Sequence, residues 1–178
     1  MVVGYATDET PEMLPLPVVL AHRLTSCLTL ARLTGAVPGL GPDGKAMAVV
    51  EYEDDVPVRV ACVVVSFQHA PDVAPADLTD QIWQDVVLPA LKGLPYDDSL
   101  ELLINPGGRF VLGGPDADTG LTGRKLAVDA YGPFVPTGGG AFSGKDPTKL
   151  DRSGAYMARC VAKNIVASGI AQRCQVTL

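Results

Sequence analysis

Residues Gly139-Gly-Ala-Phe-Ser-Gly144-Lys145 carry the spacing of a phosphate-binding P-loop as far as the lysine. The next position breaks the pattern. A P-loop places Ser or Thr there to hold magnesium, and this chain has Asp146. A P-loop also follows directly on a hydrophobic strand, whereas Pro133, Pro136 and Thr137 intervene here. No Gly-x-Gly-x-x-Gly follows a strand, so a dinucleotide-binding sheet has no support either.

The same stretch is one of several in which glycine and cations alternate. Gly107, Gly108, Gly113, Gly114, Gly120, Gly123, Gly132 and Gly138–Gly140 interleave with Arg109, Arg124, Lys125, Lys145 and Lys149. Glycine lets a backbone approach a ligand closely, and exposed N–H groups with Lys and Arg are what an oligophosphate needs. The charge distribution agrees. Residues 1–108 hold 5 basic and 15 acidic side chains, while residues 109–178 hold 9 basic and 5 acidic. The net charge of −6 therefore conceals an anion-seeking half, whose surplus is assigned to Arg109, Arg124, Lys125, Lys145 and Lys149.

Around these segments the pattern mixes helices and strands. Residues 1–14 show no clear period. A helix is expected over 16–34, closed by Gly35, then turns over 37–45. Strands are expected over 46–52 and 58–67, joined at Glu53-Asp54-Asp55, with the Val-rich second strand central. A helix over 77–91 is ended or kinked by Pro89. Strands over 100–104 and 109–112 flank the turn Asn105-Pro-Gly-Gly108. Residues 122–131 read as helix or strand, and 151–168 as a helix capped by Gly169. A strand starts at 174, with no evident partner.

Composition narrows the class. At 178 residues, 47% hydrophobic and 19% charged, the chain suits one large or two small globular domains. No apolar run reaches the roughly 18 residues of a membrane span. An acidic chain without aromatics among its cations does not read as a nucleic-acid binder. Cys27, Cys62, Cys160 and Cys174 lack metal-ligand spacing and read as reduced thiols, which places the chain in the cytoplasm. His22 and His69 read as structural.

Longer motifs now combine. Gly139-Gly-Ala-Phe-Ser-Gly-Lys-Asp146, Asn105-Pro-Gly-Gly-Arg-Phe-Val-Leu-Gly-Gly-Pro115 and Asp118-Thr-Gly-Leu-Thr-Gly-Arg-Lys125 resemble signatures of S-adenosylmethionine synthases, the methionine adenosyltransferases. Lys149-Leu-Asp-Arg-Ser153, Val161-Ala-Lys-Asn-Ile165, Gly4-Tyr-Ala-Thr-Asp-Glu-Thr10 and Leu20-Ala-His22 extend the resemblance over essentially the whole chain. It implies an α+β fold in which sheets backed by helices repeat around a pseudo-threefold axis. Residues 1–110 would form the middle domain and 111–178 the beginning of the C-terminal one.

The resemblance also implies a reaction. ATP and L-methionine are joined as the sulfur attacks the ribose 5′ carbon, and the departing tripolyphosphate is split into pyrophosphate and phosphate. Preorganised cations suit so anionic a leaving group. By the match, Lys45, Arg124, Lys125 and Lys145 serve the triphosphate, and Asp43 and Gly44 belong to the ATP site. Arg109 and Phe110 lie on the adenosine side, with Phe110 as a stacking face. Ala141 lines the nucleotide pocket. Asp118 meets ATP and the methionine amino group, Lys149 is on the methionine side, and Asp151 is a candidate magnesium ligand. Plainer readings stay open: a solvated Lys149, Asp151 as the cap of its helix, and Phe110 as strand core.

The family chain is more than twice as long. Its His-Pro-Asp segment, a potassium-binding carboxylate, a lid loop and a Gly-Ala-Gly-Asp-Gln-Gly motif have no counterpart here, and Gly41 and Pro133-Phe-Val-Pro-Thr137 depart from its pattern. The chain therefore reads as the middle of a larger Mg²⁺- and K⁺-assisted enzyme, a homodimer or homotetramer when complete, and inactive as it stands. The alternative is a non-catalytic triphosphate-binding or subunit-interaction module.

Overall fold

The computed structural model describes all residues 1–178 and divides them into two compact units. One comprises residues 1–18 and 120–178, the other residues 19–119. Sheets and helices are mixed, as expected.

In the first unit, β1 (Val3–Thr7) pairs antiparallel with β5 (Arg173–Thr177), from Val3 opposite Thr177 to Thr7 opposite Arg173. The strand expected to lack a partner thus has one, in a segment where the pattern shows no strand. All five residues of β1 are buried, so it carries no alternation to read. Helix α5 (Leu150–Ala167) backs this pair. Its buried stripe is Gly154, Ala155, Ala158, Ala162 and Val166, and Ala6, Ala162 and Val166 form a small core with Met13, Cys174 and Val176 against it. Small residues matter because the contact is close. A Cβ on Gly4 would lie 2.1 Å from the Ala158 carbonyl carbon and the Arg159 nitrogen, so only glycine fits that strand position. Gly169, at φ +74, ends the helix in the left-handed region. Between 122 and 131 the only regular element is the single helical turn α4 (Leu126–Asp129).

The second unit holds most of α1 (Leu16–Thr34), whose buried face is Leu20, Leu24, Leu28 and Ala31. Its sheet has the order β2–β3–β4: β2 (Leu40–Glu53) antiparallel to β3 (Val56–His69), and β4 (Glu101–Ile104) parallel to it. The Val-rich strand is central. Asp54 and Asp55 both take positive φ, the two-residue hairpin that matches strand twist. β2 begins earlier than expected, at Leu40. Residues 40–45 read as turn because of their Gly and Pro, and they are accommodated by an irregular register between Leu40 and Gly44.

Two further corrections concern prolines and glycines. Of the two readings of Pro89, ending its helix fails, because the helical run continues to Leu91, and the helix instead departs from regular α geometry just before it. The chain runs through a 3₁₀ turn (Pro75–Leu78), α2 (Thr79–Ile82), a π-helical turn (Trp83–Val87) and α3 (Leu88–Leu91). The widened turn, with Leu88 N–H bonded to Trp83 O, makes room for a proline ring that would otherwise meet the carbonyl four residues back. Residues 109–112 form no strand. They follow β3 as a strap held by isolated hydrogen bonds, described next. No helix of the protein is long and apolar enough to cross a membrane.

Candidate functional site

In the second unit, the end of β3 gathers the strap. Asn105 extends the β4 edge with its side chain. Its Oδ1 accepts from Phe67 N at 2.8 Å, and its Nδ2 donates to Phe67 O at 3.0 Å. This buried amide stands where the next ladder residue would stand, and Asn suits the positive φ of 42° that turns the chain there. Beyond the turn, Gln68 Nε2 donates to Val111 O at 3.1 Å, and Arg109 Nη2 donates to Pro71 O at 2.6 Å. His69 N donates to Phe110 O at 2.9 Å, and Phe110 N donates to His69 Nε2 at 3.1 Å.

Asp43 closes the far end. Its Oδ2 accepts from Gly114 N at 2.6 Å, and its own N–H reaches Gln68 Oε1 at 3.4 Å. Asp43, Arg109 and Phe110 are thus brought onto one strap-and-strand assembly. Phe110 is half-buried, and Arg109 is exposed beside a hollow lined by Asp72, Val73 and Asn105. Gly44 and Lys45 lie exposed on β2, Lys45 opposite Ser66, rather than in a turn. Asp118 is exposed, following the 3₁₀ turn Gly114–Asp116, and its N–H bonds Gly114 O at 3.1 Å.

The first unit holds the other candidates. Arg124 and Lys125 are exposed just before α4, after Gly123 at φ +83. Ala141 and Asp151 line one cavity with Val3, Tyr131 and Phe142. Lys145 bonds the Ala141 carbonyl and pairs with Asp151 Oδ2 at 3.4 Å. Asp151 is not the cap of α5. Lys149 holds the cap position with an extended backbone, and Asp151 sits in the first turn, where a carboxylate favours the helix dipole. Asp146, the residue that defeats the P-loop reading, folds onto Thr148. The Thr148 hydroxyl and then its amide hold the Asp146 carboxyl below the ordinary range.

The cations now sort into two kinds. Arg124, Lys125, Lys149 and Lys45 make no ion pair. Others, outside the five to which the basic surplus is assigned, serve the fold. Arg152 donates to the Lys145 carbonyl and lies over the Tyr156 ring at 5.6 Å. Arg159 donates to the carbonyls of Tyr5 at 2.6 Å, Met13 at 2.8 Å and Glu12 at 2.8 Å. Desolvation lowers the pKa of this guanidinium from its ordinary value.

Several of these residues have no signal in the sequence. Asn105 reads there only as a turn residue, and no pattern singles out Gln68 or Arg159. His69 is legible as buried, since it shares strand parity with Val63, Val65 and Phe67. His22 is exposed on α1. Cys27 and Cys62 are half-buried free thiols pushed up by burial, Cys174 is half-buried and Cys160 exposed. No three His, Cys, Asp or Glu side chains gather as a metal site.

Known proteins resemble this chain along essentially its whole length. The family model for the central domain of S-adenosylmethionine synthetase matches residues 1–110, and that for its C-terminal domain matches residues 112–178. The chain belongs to the S-adenosylmethionine synthetase family. The S-adenosylmethionine synthase of Thermus thermophilus is 58% identical over 179 residues, covering 100% of this chain and 45% of that protein. The S-adenosylmethionine synthase of Pseudothermotoga lettingae is 55% identical over 174 residues, covering 97% of this chain and 44% of that protein. The chain therefore spans somewhat under half the length of these curated relatives.

Proposed function

We propose that this chain contributes the triphosphate, adenosine and methionine contacts of a methionine adenosyltransferase that forms S-adenosylmethionine from ATP and L-methionine. The observation that carries the reading is the set of unpaired cations on glycine-flanked loops, in a chain of this family. Arg124 and Lys125 are unneutralised by any carboxylate, and Lys145 is only half-neutralised by an exposed Asp151. These three, with Lys45, would meet the triphosphate. As the methionine sulfur forms its bond to the ribose 5′ carbon, the carbon–oxygen bond breaks and its electron pair moves to the tripolyphosphate. Fixed cations stabilise that growing charge without reorganising. Phe110 would stack on adenine, with Arg109, Asp43 and Gly44 beside it and Ala141 along the pocket wall. Asp118 and Lys149 would take the methionine amino and carboxylate groups.

Magnesium and potassium do not fit a site made of this chain's residues alone. Asp151 offers one carboxylate, already facing Lys145, and no cluster completes it. We further infer a domain division near residue 110, a cytoplasmic setting and at least a homodimer. Support for pairing comes from the open sheet face of Met47, Val49 and Leu103, all exposed.

The test has two arms. The full gene product should form S-adenosylmethionine from ATP and methionine with Mg²⁺ and K⁺, and no product under those conditions would refute the activity. Calorimetry of the 178-residue chain with tripolyphosphate should show binding without turnover.

A further inference from the structure

We infer that His69 is a positioning residue for Phe110: its unprotonated Nε2 and its backbone N–H together hold both polar groups of Phe110. The inference rests on the reading of Phe110 as the adenine-stacking face. His69 is 2% exposed, so its ring has no water to fall back on. Its Nδ1 lies 2.9 Å from Ala70 O, an acceptor only, so the ring proton sits on Nδ1. That tautomer leaves a lone pair on Nε2, and Phe110 N–H points at it from 3.1 Å. The His69 N–H completes the pair on Phe110 O at 2.9 Å.

This arrangement replaces a strand ladder. Residues 109–112 have no ladder of their own, and Gly pairs at 107–108 and 113–114 flank them. Gly108 and Gly114 both take positive φ, so the chain turns through a glycine at each end of the strap. Arg109 and Val111 are each pinned by a single bond, to Pro71 and Gln68, and beyond them the Gly114 N–H is held by Asp43. Phe110 alone is held at two points, both on one residue. Its half-buried ring is therefore aimed by His69 rather than by sheet register.

The choice of substitution separates positioning from mere packing. In His69→Gln, a carboxamide oxygen can stand near the Nε2 position and accept from Phe110. In His69→Asn, the shorter amide can donate to Ala70 but cannot reach Phe110. His69→Leu does neither. Amide hydrogen exchange at Phe110 is read by NMR on the full 178-residue chain, with thermal midpoints measured alongside. The expected order of protection is wild type near Gln, with Asn and Leu lower by about tenfold or more, the worth of one buried hydrogen bond. The ¹⁵N shifts of the wild-type imidazole should report the Nδ1–H tautomer. ATP affinity should follow the same order.

Equal Phe110 protection in the Gln and Asn variants would overturn the proposal, as would an Nε2–H tautomer. Failure of the functional reading looks different. If wild type and Phe110→Ala bind ATP equally weakly while the order of protection holds, the positioning by His69 stands and the adenine-stacking role falls.

Discussion

Replacing Asn105 by alanine should cost the protein about 3–5 kcal/mol, more than its place in a turn would indicate. The side chain satisfies two backbone groups of Phe67, a residue with no exposed surface. Alanine leaves that N–H and that carbonyl without their partners. Each buried unsatisfied group costs about 1–3 kcal/mol, and partial entry of water brings the pair to the lower half of that range. The backbone adds its own share. Asn105 has φ +42, and a residue without a helpful polar side chain loses about 1 kcal/mol in the left-handed region. Asn105→Gly removes the same bonds but not the backbone tolerance, so it should be less damaging than alanine by about 1 kcal/mol. Asn105→Asp tests the donor directly. Its carboxylate can accept from Phe67 N but faces Phe67 O with a second acceptor, so it must bind a proton to fit. The folded state then takes up a proton that the unfolded state does not, and stability should rise as the pH falls. Urea unfolding followed by circular dichroism gives the alanine–glycine difference, with Phe67 amide exchange as the local readout. A cost under about 1 kcal/mol for Asn105→Ala, with Phe67 still protected, would refute the side-chain ladder.

Other consequences are as direct. Gly4→Ala pushes a Cβ into the backbone of α5 at 2.1 Å and should separate β1 from the helix, costing more than about 3 kcal/mol; a normal unfolding midpoint would show that the contact relaxes freely. Arg159→Met removes the donor to three carbonyls of the Tyr5–Met13 segment and should cost about 2–4 kcal/mol, with faster amide exchange confined first to residues 5–13. The Asp97 carboxyl is held below the ordinary range by the Ser99 hydroxyl, then by the Ser99 amide and Arg59. Its stabilising share is present above the ordinary carboxylate pKa and is lost as pH falls through the lowered one. Ser99→Ala should return the Asp97 titration, followed by NMR, toward its usual position, and an unmoved midpoint would contradict the assignment. Arg124→Met and Lys125→Met should each weaken tripolyphosphate binding about tenfold, the worth of one charge-assisted contact, and calorimetry showing no change would remove them from the site.

What the sequence shows and what it hides follow from the same physics. Periodicity reveals an element when one face differs from the other. α1 and α5 are therefore readable to within a residue or two, as is the Val-rich centre of the sheet. β1 is not readable, because all five of its residues are buried. Gly4 and Thr7, which break its apolar pattern, are there for close packing and for a bond to Glu9. The glycine- and proline-rich stretch at 40–45 looks like turn because local propensity favours turn. Pairing with β3 overrides it, at the cost of an irregular register.

The strap shows the opposite error, and it bears on the site. Residues 109–112, Arg-Phe-Val-Leu beside a turn, are apolar and bulky enough to suggest a strand, yet they form none. The bonds a ladder would have supplied come instead from Asn105, Gln68, His69 and Asp43, side chains scattered from position 43 to 105. A β-ladder would lock Arg109 and Phe110 into sheet register and bury one face of the strap. Side-chain pins hold the same residues while leaving Phe110 partly open and turning the chain through a glycine at each end. Such an arrangement suits the adenine-stacking role proposed for Phe110, in which a base must enter and leave. No reading of residues one segment at a time finds it, because each pin is legible only beside the backbone group that it satisfies.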